Sequence, residues 1–296
     1  MKLPAILLTV LLSVASAYAT VLYVEKHGGI ASMTAPSVKE TAFERVMRTG
    51  VLRCGYYVFP PVTQRDLNTN ELSGFAVDLT NRLAANAGLK VEWTEEVDFG
   101  NWTAELQAGR FDAMCTPAWP TASMSRVVRF TRPFIYSSIN VYARGDDHRF
   151  DNNLKAVNDP SVTIAVIEGT ALVELIESHF PKAKLLLLPQ NSPGGSQAEN
   201  LATKKADLIL WDENGVFDYL KTHPGGVHNI APGHPVRIMP FELAVQVSED
   251  RLRDFLDTAL QDLEDTGYLE QVIRKWERAP GSFFYLAPPY ALPDKQ

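Results

Sequence analysis

Twice along this chain a strand pattern gives way to a helix pattern and back again, and that repetition limits the possible folds more than any other feature. In the first series, "GVLRCGYYV" reads as a strand. Phe75, Leu79, Leu83 and Ala87 then recur every fourth residue, marking a helix face that Gly88 closes, and "KVEWT" alternates as a half-buried strand does. A helix around Trp102 and Leu106 ends at Gly109, before the apolar run "FDAMC". In the second series "VTIAVI" is a strand, Gly169 and Thr170 open a helix with Leu172, Leu175, Ile176 and Phe180 on one face, and "AKLLLLP" is the next strand. Ser196 and Glu199 have the spacing of a capping box ahead of a further helix, and the strand "DLILW" follows. Such runs pack helices on mainly parallel sheets, so the expected fold class is α/β with two lobes. The series share a local rhyme: Leu106 stands six residues before Asp112, and Leu201 six before Asp207.

A late strand, "FELAVQV", precedes two amphipathic helices, one built on Leu252, Phe255, Leu256, Ala259 and Leu263, the other on Leu269, Val272, Ile273 and Trp276. The proline-rich ending "PGSFFYLAPPYALPDKQ" predicts an irregular tail over the surface. With 296 residues, 46% hydrophobic and 21% charged, the chain is long enough for two cores. A net charge of -7 is the opposite of the basic excess that phosphate neutralisation needs. No nucleic-acid partner is expected, and a small polar ligand or a protein partner fits better.

Lys2 precedes an apolar run from Leu3 to Val24 that meets no charge before Glu25, so the chain is read as exported. Residues 1–26 read either as a signal peptide, with Ala17-Tyr18-Ala19 as a small-x-small cleavage site, or as an uncut membrane anchor. Residues 27–40 read as a tether. Cys54 and Cys115 are too few for a disulfide scaffold or a structural zinc site. Both fall in predicted strands, where they pair if the strands are neighbours or else remain buried thiols. His223, His228 and His234 share one loop without a carboxylate pattern beside them, so neither a metal site nor a cofactor is expected.

Seven segments in order, "GVLRCGYYVFPP", "LSGFAVDLTNRLA", "LQAGRFDAM", "RFTRPF", "IEGTA", "KADLILWDE" and "LQDLEDTGYLEQVIRKWER", resemble the bacterial extracellular solute-binding proteins of family 3, the polar amino-acid type that feeds ABC importers. The resemblance covers residues 45 to about 278. It implies the type II periplasmic-binding-protein fold: two α/β lobes joined by two crossover strands, lobe 1 split in sequence, with the ligand enclosed between lobes. Lobe 1 would be residues 41–140 and 237–296, and lobe 2 residues 141–236. The implied function is capture of a small amino-acid-like or amine-bearing ligand in the periplasm by a monomer that delivers it to an ABC permease in the inner membrane, without catalysis. A membrane-tethered sensor or adaptor on the same fold is the alternative. An enzyme on this fold is a further one, although Asp212 and Glu213 alone make a weak acid and base pair.

The resemblance also implies a set of ligand contacts. Tyr56 and Phe59 follow the first strand, and Phe99 stands thirteen residues before Asp112, at places where ligand-stacking aromatics occur; core or surface packing is the other reading of each. Gly169 and Thr170 match a helix start offering N–H and hydroxyl groups to an anion, a role compatible with a plain helix cap. Asp212, closing "ADLILWD", matches the carboxylate that holds the ligand's ammonium group, against the reading of an ordinary loop aspartate. The remaining contacts, Thr116, Trp119, Thr121 and Met124, lie in "FDAMCTPAWPTASMSRVVRFTRPF", where a helix start is expected at Thr121.

This last segment departs from its relatives. The family pattern has a Thr followed three positions later by an Arg whose guanidinium clamps the ligand α-carboxylate. Thr121 matches, but three positions on stands Met124. Arg126 is two residues further, about 200° around a helix, and should point away from the groove. Trp119 replaces a small hydroxyl residue, and Pro117 and Pro120 lack N–H donors. The site is therefore expected to hold a ligand with a cationic amine at Asp212 but no conventional α-carboxylate, or an aromatic or modified compound resting on Trp119.

Overall fold

The computed structural model of the chain describes residues 3–27, 40–279 and 281–286, with the backbone alone described for residues 3–10, 24, 25 and 27. Residues 1–40 and 41–296 are separate units. In the first, the apolar run forms helix α1 (Leu3–His27). Among the described residues no helix is long and apolar enough to cross a membrane. The tether expected at 27–40 lies, apart from its two ends, outside the described residues.

The body opens with α2 (Ala42–Thr49), which starts at a capping box: the Thr41 hydroxyl accepts from the Glu44 N–H and the Glu44 carboxylate accepts from the Thr41 N–H, both at 3.1 Å. The first series then runs β1 (Val51–Tyr56), a hairpin of β2 (Gln64–Arg65) and β3 (Leu72–Ser73), α3 (Phe75–Asn86), β4 (Lys90–Glu96), α4 (Trp102–Gln107) and β5 (Ala113–Ala118). After β6 (Val128–Phe130) comes the ten-residue strand β7 (Ile135–Arg144). The second series is β8 (Thr163–Ile167), α5 (Ala171–His179), β9 (Lys184–Leu188), α6 (Ser196–Ala202), β10 (Leu208–Asp212) and α7 (Glu213–Thr222). β11 (Val227–Asn229), the ten-residue β12 (Arg237–Gln246), α8 (Asp250–Asp265), α9 (Tyr268–Trp276) and β13 (Phe283–Phe284) complete the described chain.

The strands run in the order β4-β1-β5-β12-β7-β10-β8-β9. β1 is parallel to β4 and β5, and β8 is parallel to β9 and β10. The two groups meet through β7 and β12, which pair antiparallel from Arg237↔Ile139 to Phe241↔Ile135. Beyond that stretch β12 turns to β5 (Val245↔Ala113) while β7 turns to β10 (Ile139↔Asp212 through Ala143↔Leu208). Two long strands thus cross between two α/β lobes, and the α/β, two-lobed architecture expected from the sequence is the one observed.

Successive side chains of each central strand enter different cores, as the period of two requires. Ala113 and Cys115 face one cluster with Leu79, Leu83, Leu256 and Ile273, while Met114 faces another with Trp102, Leu106 and Phe111. Likewise Ile164, Val166, Leu208 and Leu210 face one side of the second sheet, and Ala165, Ile209 and Trp211 the other. The rhyme has a structural meaning. Asp112 accepts the Arg53 N–H at 2.8 Å and donates its own N–H to Arg53 O at 2.9 Å; Asp207 repeats this with Thr163 at 2.9 and 2.8 Å. Each aspartate locks the start of a central strand to its parallel neighbour. Cys54 and Cys115, on neighbouring β1 and β5, form a disulfide with Cα atoms 5.4 Å apart.

Three local readings are corrected. Ser196 does not cap α6: Gly195 is the N-cap, at φ 92°, and the Ser196 hydroxyl donates instead to Pro193 O. The helix start at Thr121 yields only a 3₁₀ turn at Met124–Arg126. The tail is not a surface coil throughout, because β13 pairs with β7 and Phe283 is buried edge-on to Phe75 and Phe241. Residue 280 and residues 287–296 of that tail lie outside the described residues.

Candidate functional site

A cavity of about 620 Å³ opens between the loops at the ends of β1, β4 and β5 on one side and those of β8, β9 and β10 on the other. Its walls carry aromatic rings from both sides. Tyr57 packs on Phe99 with ring centroids 4.6 Å apart, Phe59 stands edge-on to Phe99 at 6.1 Å and to Trp119 at 6.1 Å, and across the cavity Trp211 meets Tyr219 at 6.2 Å. Trp102 also lines the wall, with the side chain of Met124 beside these rings. Among the described residues the charged lining residues are Glu96, Asp98 and Asp218, and none of the lining residues is Lys, Arg or His.

Those carboxylates are not equivalent. Glu96 is paired with Arg65, which also donates to the Tyr56 hydroxyl at 2.7 Å. Asp218 is paired with Lys221 at 3.0 Å and with Arg278. Asp98 is exposed and makes no ion pair among the described residues. Two further polar atoms are buried without partners, Trp119 Nε1 and Gln197 Oε1, both on lining residues. Unpaired buried polar atoms are costly, and a bound polar molecule would satisfy them.

Of the residues singled out from the sequence, Phe59, Phe99, Trp119, Met124 and Thr170 line this cavity. The others do not. Tyr56 points to the opposite face of β1 from Tyr57, meeting Trp93 edge-on at 5.9 Å, because adjacent strand residues face opposite ways. Thr116 is fully buried, sharing a hydrogen bond with the Thr63 hydroxyl at 2.8 Å and donating to Tyr57 O at 3.3 Å. Thr121 accepts the Met124 N–H at 3.2 Å and donates to Glu174 at 2.9 Å, outside the cavity. The Thr170 hydroxyl donates to Ile167 O at 2.8 Å and so is already engaged.

Asp212 differs most from its expected place. Trp211 holds the cavity-facing position at the exit of β10, so Asp212, one residue on, turns the other way and is 1% exposed. Its Oδ1 caps α7 by accepting the N–H groups of Asn214 at 3.0 Å and Gly215 at 3.1 Å, while Oδ2 has no partner. Burial pushes its carboxyl up to about 6 against the lowering effect of the two N–H donors. Glu213 accepts weakly from Asn140 at 3.4 Å. Arg126 is exposed and does not line the cavity.

Gly169 does not line the cavity but shapes its rim. It adopts φ +79°, and a Cβ there would come within 2.6 Å of Gly100 O, while one on Gly100 would come within 2.2 Å of Glu168 O. The Gly100 N–H donates to Gln190 O at 3.4 Å. Backbone therefore meets backbone across the mouth, at positions where only glycine fits. Lining residues not foreseen from the sequence include Tyr57, Glu96, Asp98, Gln197, Trp211, Asp218 and Tyr219. Strand parity was the available signal for Tyr57 and Trp211; Asp218 and Tyr219 lie a turn or more into α7 and carried none.

The sequence profile of the bacterial extracellular solute-binding proteins, family 3, matches residues 52–279. The chain is similar to a probable amino-acid ABC transporter-binding protein of Haemophilus influenzae, 27% identical over 257 residues that cover 84% of this chain and 93% of that one. It is also similar to the cyclohexadienyl dehydratase of Pseudomonas aeruginosa, 22% identical over 243 residues, 80% of this chain and 87% of that one. Among solved structures, an ancestral amino acid-binding protein, a precursor of cyclohexadienyl dehydratase, superposes with a TM-score of 0.68 at 21% identity over 80% of this chain and 99% of its own. At that identity the likeness carries the fold.

Proposed function

Because this chain belongs to the bacterial extracellular solute-binding proteins, family 3, we propose that it captures a small organic cation, an amine carried on an aromatic or apolar body, and delivers it to an ABC-type importer. The observation that carries this reading is the cavity lining: among the described residues, seven aromatic side chains and three carboxylates without one basic group. Aromatic faces attract cations, by about 2 kcal/mol or more where water is excluded. A ligand carboxylate finds no cation among the described lining residues, and leaving it unpaired costs about 2 to 5 kcal/mol, roughly thirty- to several-thousandfold in affinity. Met124 in place of an arginine acts in the same direction. Asp98, without an ion pair among the described residues, is the group we assign to the ligand's ammonium, with Gln197 Oε1 as a second acceptor and Trp119 as the stacking surface.

Closure divides the chain at 41–140 with 237–296 against 141–236, turning about β7 and β12. The lining does not favour catalysis. Glu96 and Asp218 are held in ion pairs, and Asp98 alone supplies no matched acid and base. We place the protein at the outer face of the inner membrane, and N-terminal sequencing of the mature chain separates a cleaved from an anchored form.

The experiment is a thermal-shift and calorimetric screen against aromatic amines, polyamines, peptides and the common amino acids, since a true ligand stabilises by mass action. Stabilisation by amines that lack a carboxylate, lost in Asp98→Asn, supports the reading. Tight binding of unmodified amino acids, indifferent to Asp98→Asn, sinks it.

A further inference from the structure

Away from the cavity, three side chains from two distant parts of the sequence, residues 148–151 and 228, converge. His148 Nδ1 lies 2.8 Å from Asp151 Oδ2, and His228 Nε2 lies 2.7 Å from Asp151 Oδ1. The ligating atoms of all three fall within 4.8 Å of one another, and the imidazole rings are 5.0 Å apart. We propose that His148, Asp151 and His228 form a binding site for a divalent transition-metal ion of the zinc, nickel or copper class.

The tautomer of His228 carries the inference. Its Nδ1 is 3.0 Å from the carbonyl oxygen of Arg144, which can only accept, so Nδ1 bears the proton. In the neutral ring Nε2 is then a bare lone pair, facing a carboxylate oxygen that is also an acceptor. Two acceptors at hydrogen-bond distance require a positive charge between them, either a second ring proton or a metal ion. An imidazole whose far nitrogen donates to a backbone carbonyl is the usual outer-shell arrangement of a metal-ligating histidine. Two nitrogens and one carboxylate suit zinc, nickel or copper, whereas calcium and magnesium favour all-oxygen sets.

The carrying elements are fixed. His228 sits on β11, paired with Ala143 of β7. The 145–153 loop is pinned by buried Phe150, by the Asn152 N–H donating to Ile230 O at 2.6 Å, and by Arg149 pairing with Asp147 at 2.7 Å and Asp207 at 2.5 Å. With metal bonds of about 2.0 to 2.1 Å, tetrahedral ligands sit about 3.3 Å apart, so the cluster must open by about half an ångström. His148, 68% exposed, can swing that far, and solvent completes the coordination.

The test is titration of the metal-free full chain with Zn²⁺, Ni²⁺ and Cu²⁺ in competition with a chromophoric chelator, joined to electron paramagnetic resonance of the Cu²⁺ form. One equivalent bound with a dissociation constant on the order of micromolar is expected. Nitrogen couplings should come from two imidazoles, and affinity should fall about tenfold or more in His148→Ala, His228→Ala and Asp151→Asn, with His234→Ala unchanged. If the double variant His148→Ala/His228→Ala, shown folded by circular dichroism, binds Cu²⁺ as tightly as the unaltered chain, the proposal fails and the cluster is an imidazolium–carboxylate pair alone.

Discussion

Thr121 donates its hydroxyl to Glu174 across the gap between the two lobes, at 2.9 Å. Ser123 reaches the same carboxylate, so a single acidic side chain in the first turn of α5 ties the segment after β5 to the opposite side. These bonds are exposed and worth about 0.5 to 1 kcal/mol together. Glu174→Ala should weaken ligand affinity about two- to fivefold and shift the ligand-free protein toward a larger radius of gyration in small-angle scattering. An unchanged affinity would show that the latch does not favour the closed arrangement.

Met124 lines the cavity where the family pattern has an arginine. Met124→Arg should restore a partner for a ligand carboxylate and raise affinity for free α-amino acids by about tenfold or more, read by calorimetry. Affinity for carboxylate-free amines should fall in the same variant, because a second cation then enters the wall.

The Cys54–Cys115 bridge closes a sequence separation of 61. Constraint of the unfolded chain at that length is worth about 4 kcal/mol. The paired variant Cys54→Ala/Cys115→Ala should lose about that much in urea unfolding, and its stability should no longer respond to reductant. A wild-type protein matching the variant under oxidising conditions would mean that the thiols are not bridged.

Burial raises the Asp212 carboxyl to about 6, against about 3.9 in an unfolded chain. Between these values the folded protein keeps a proton that the unfolded chain releases. The stability contributed by this group is therefore whole below about pH 4 and is lost as pH rises through 6, by up to about 3 kcal/mol. Asp212→Asn should flatten that part of the profile, measured as the difference in unfolding free energy between pH 4 and pH 7. Equal differences in both proteins would place Asp212 at its ordinary acidity.

The alternation of strands and helices was legible because long helices such as Phe75 to Asn86 repeat their period, and short unbroken apolar runs such as "DLILW" mark buried strands between them. The site was half legible. Phe59, Phe99, Trp119 and Met124 reached the cavity, whereas Tyr56 and Asp212 missed it by one residue, and one residue along a strand is the difference between its two faces. Thr41 rather than Ser196 forms the capping box, since the spacing permits the motif but the entry of the chain decides it; Gly195 sets that entry at α6. His228 looked like a member of a loop cluster, and its partners Asp151 and His148 lie on the far side of the whole second series. No local pattern announces a pairing across that distance.

The crossover strands also set an order of assembly. The buried members of the core around Ile164 and Leu208 all lie between Ile139 and Met239, whereas the core around Leu79 and Cys115 waits for Leu243, Leu256, Ile273 and Phe283. The half that begins the chain is thus completed last. A chain interrupted before residue 237 would present β5 and β7 as unpaired edges beside a neighbour lacking only Met239 from its buried core, a form open to aggregation.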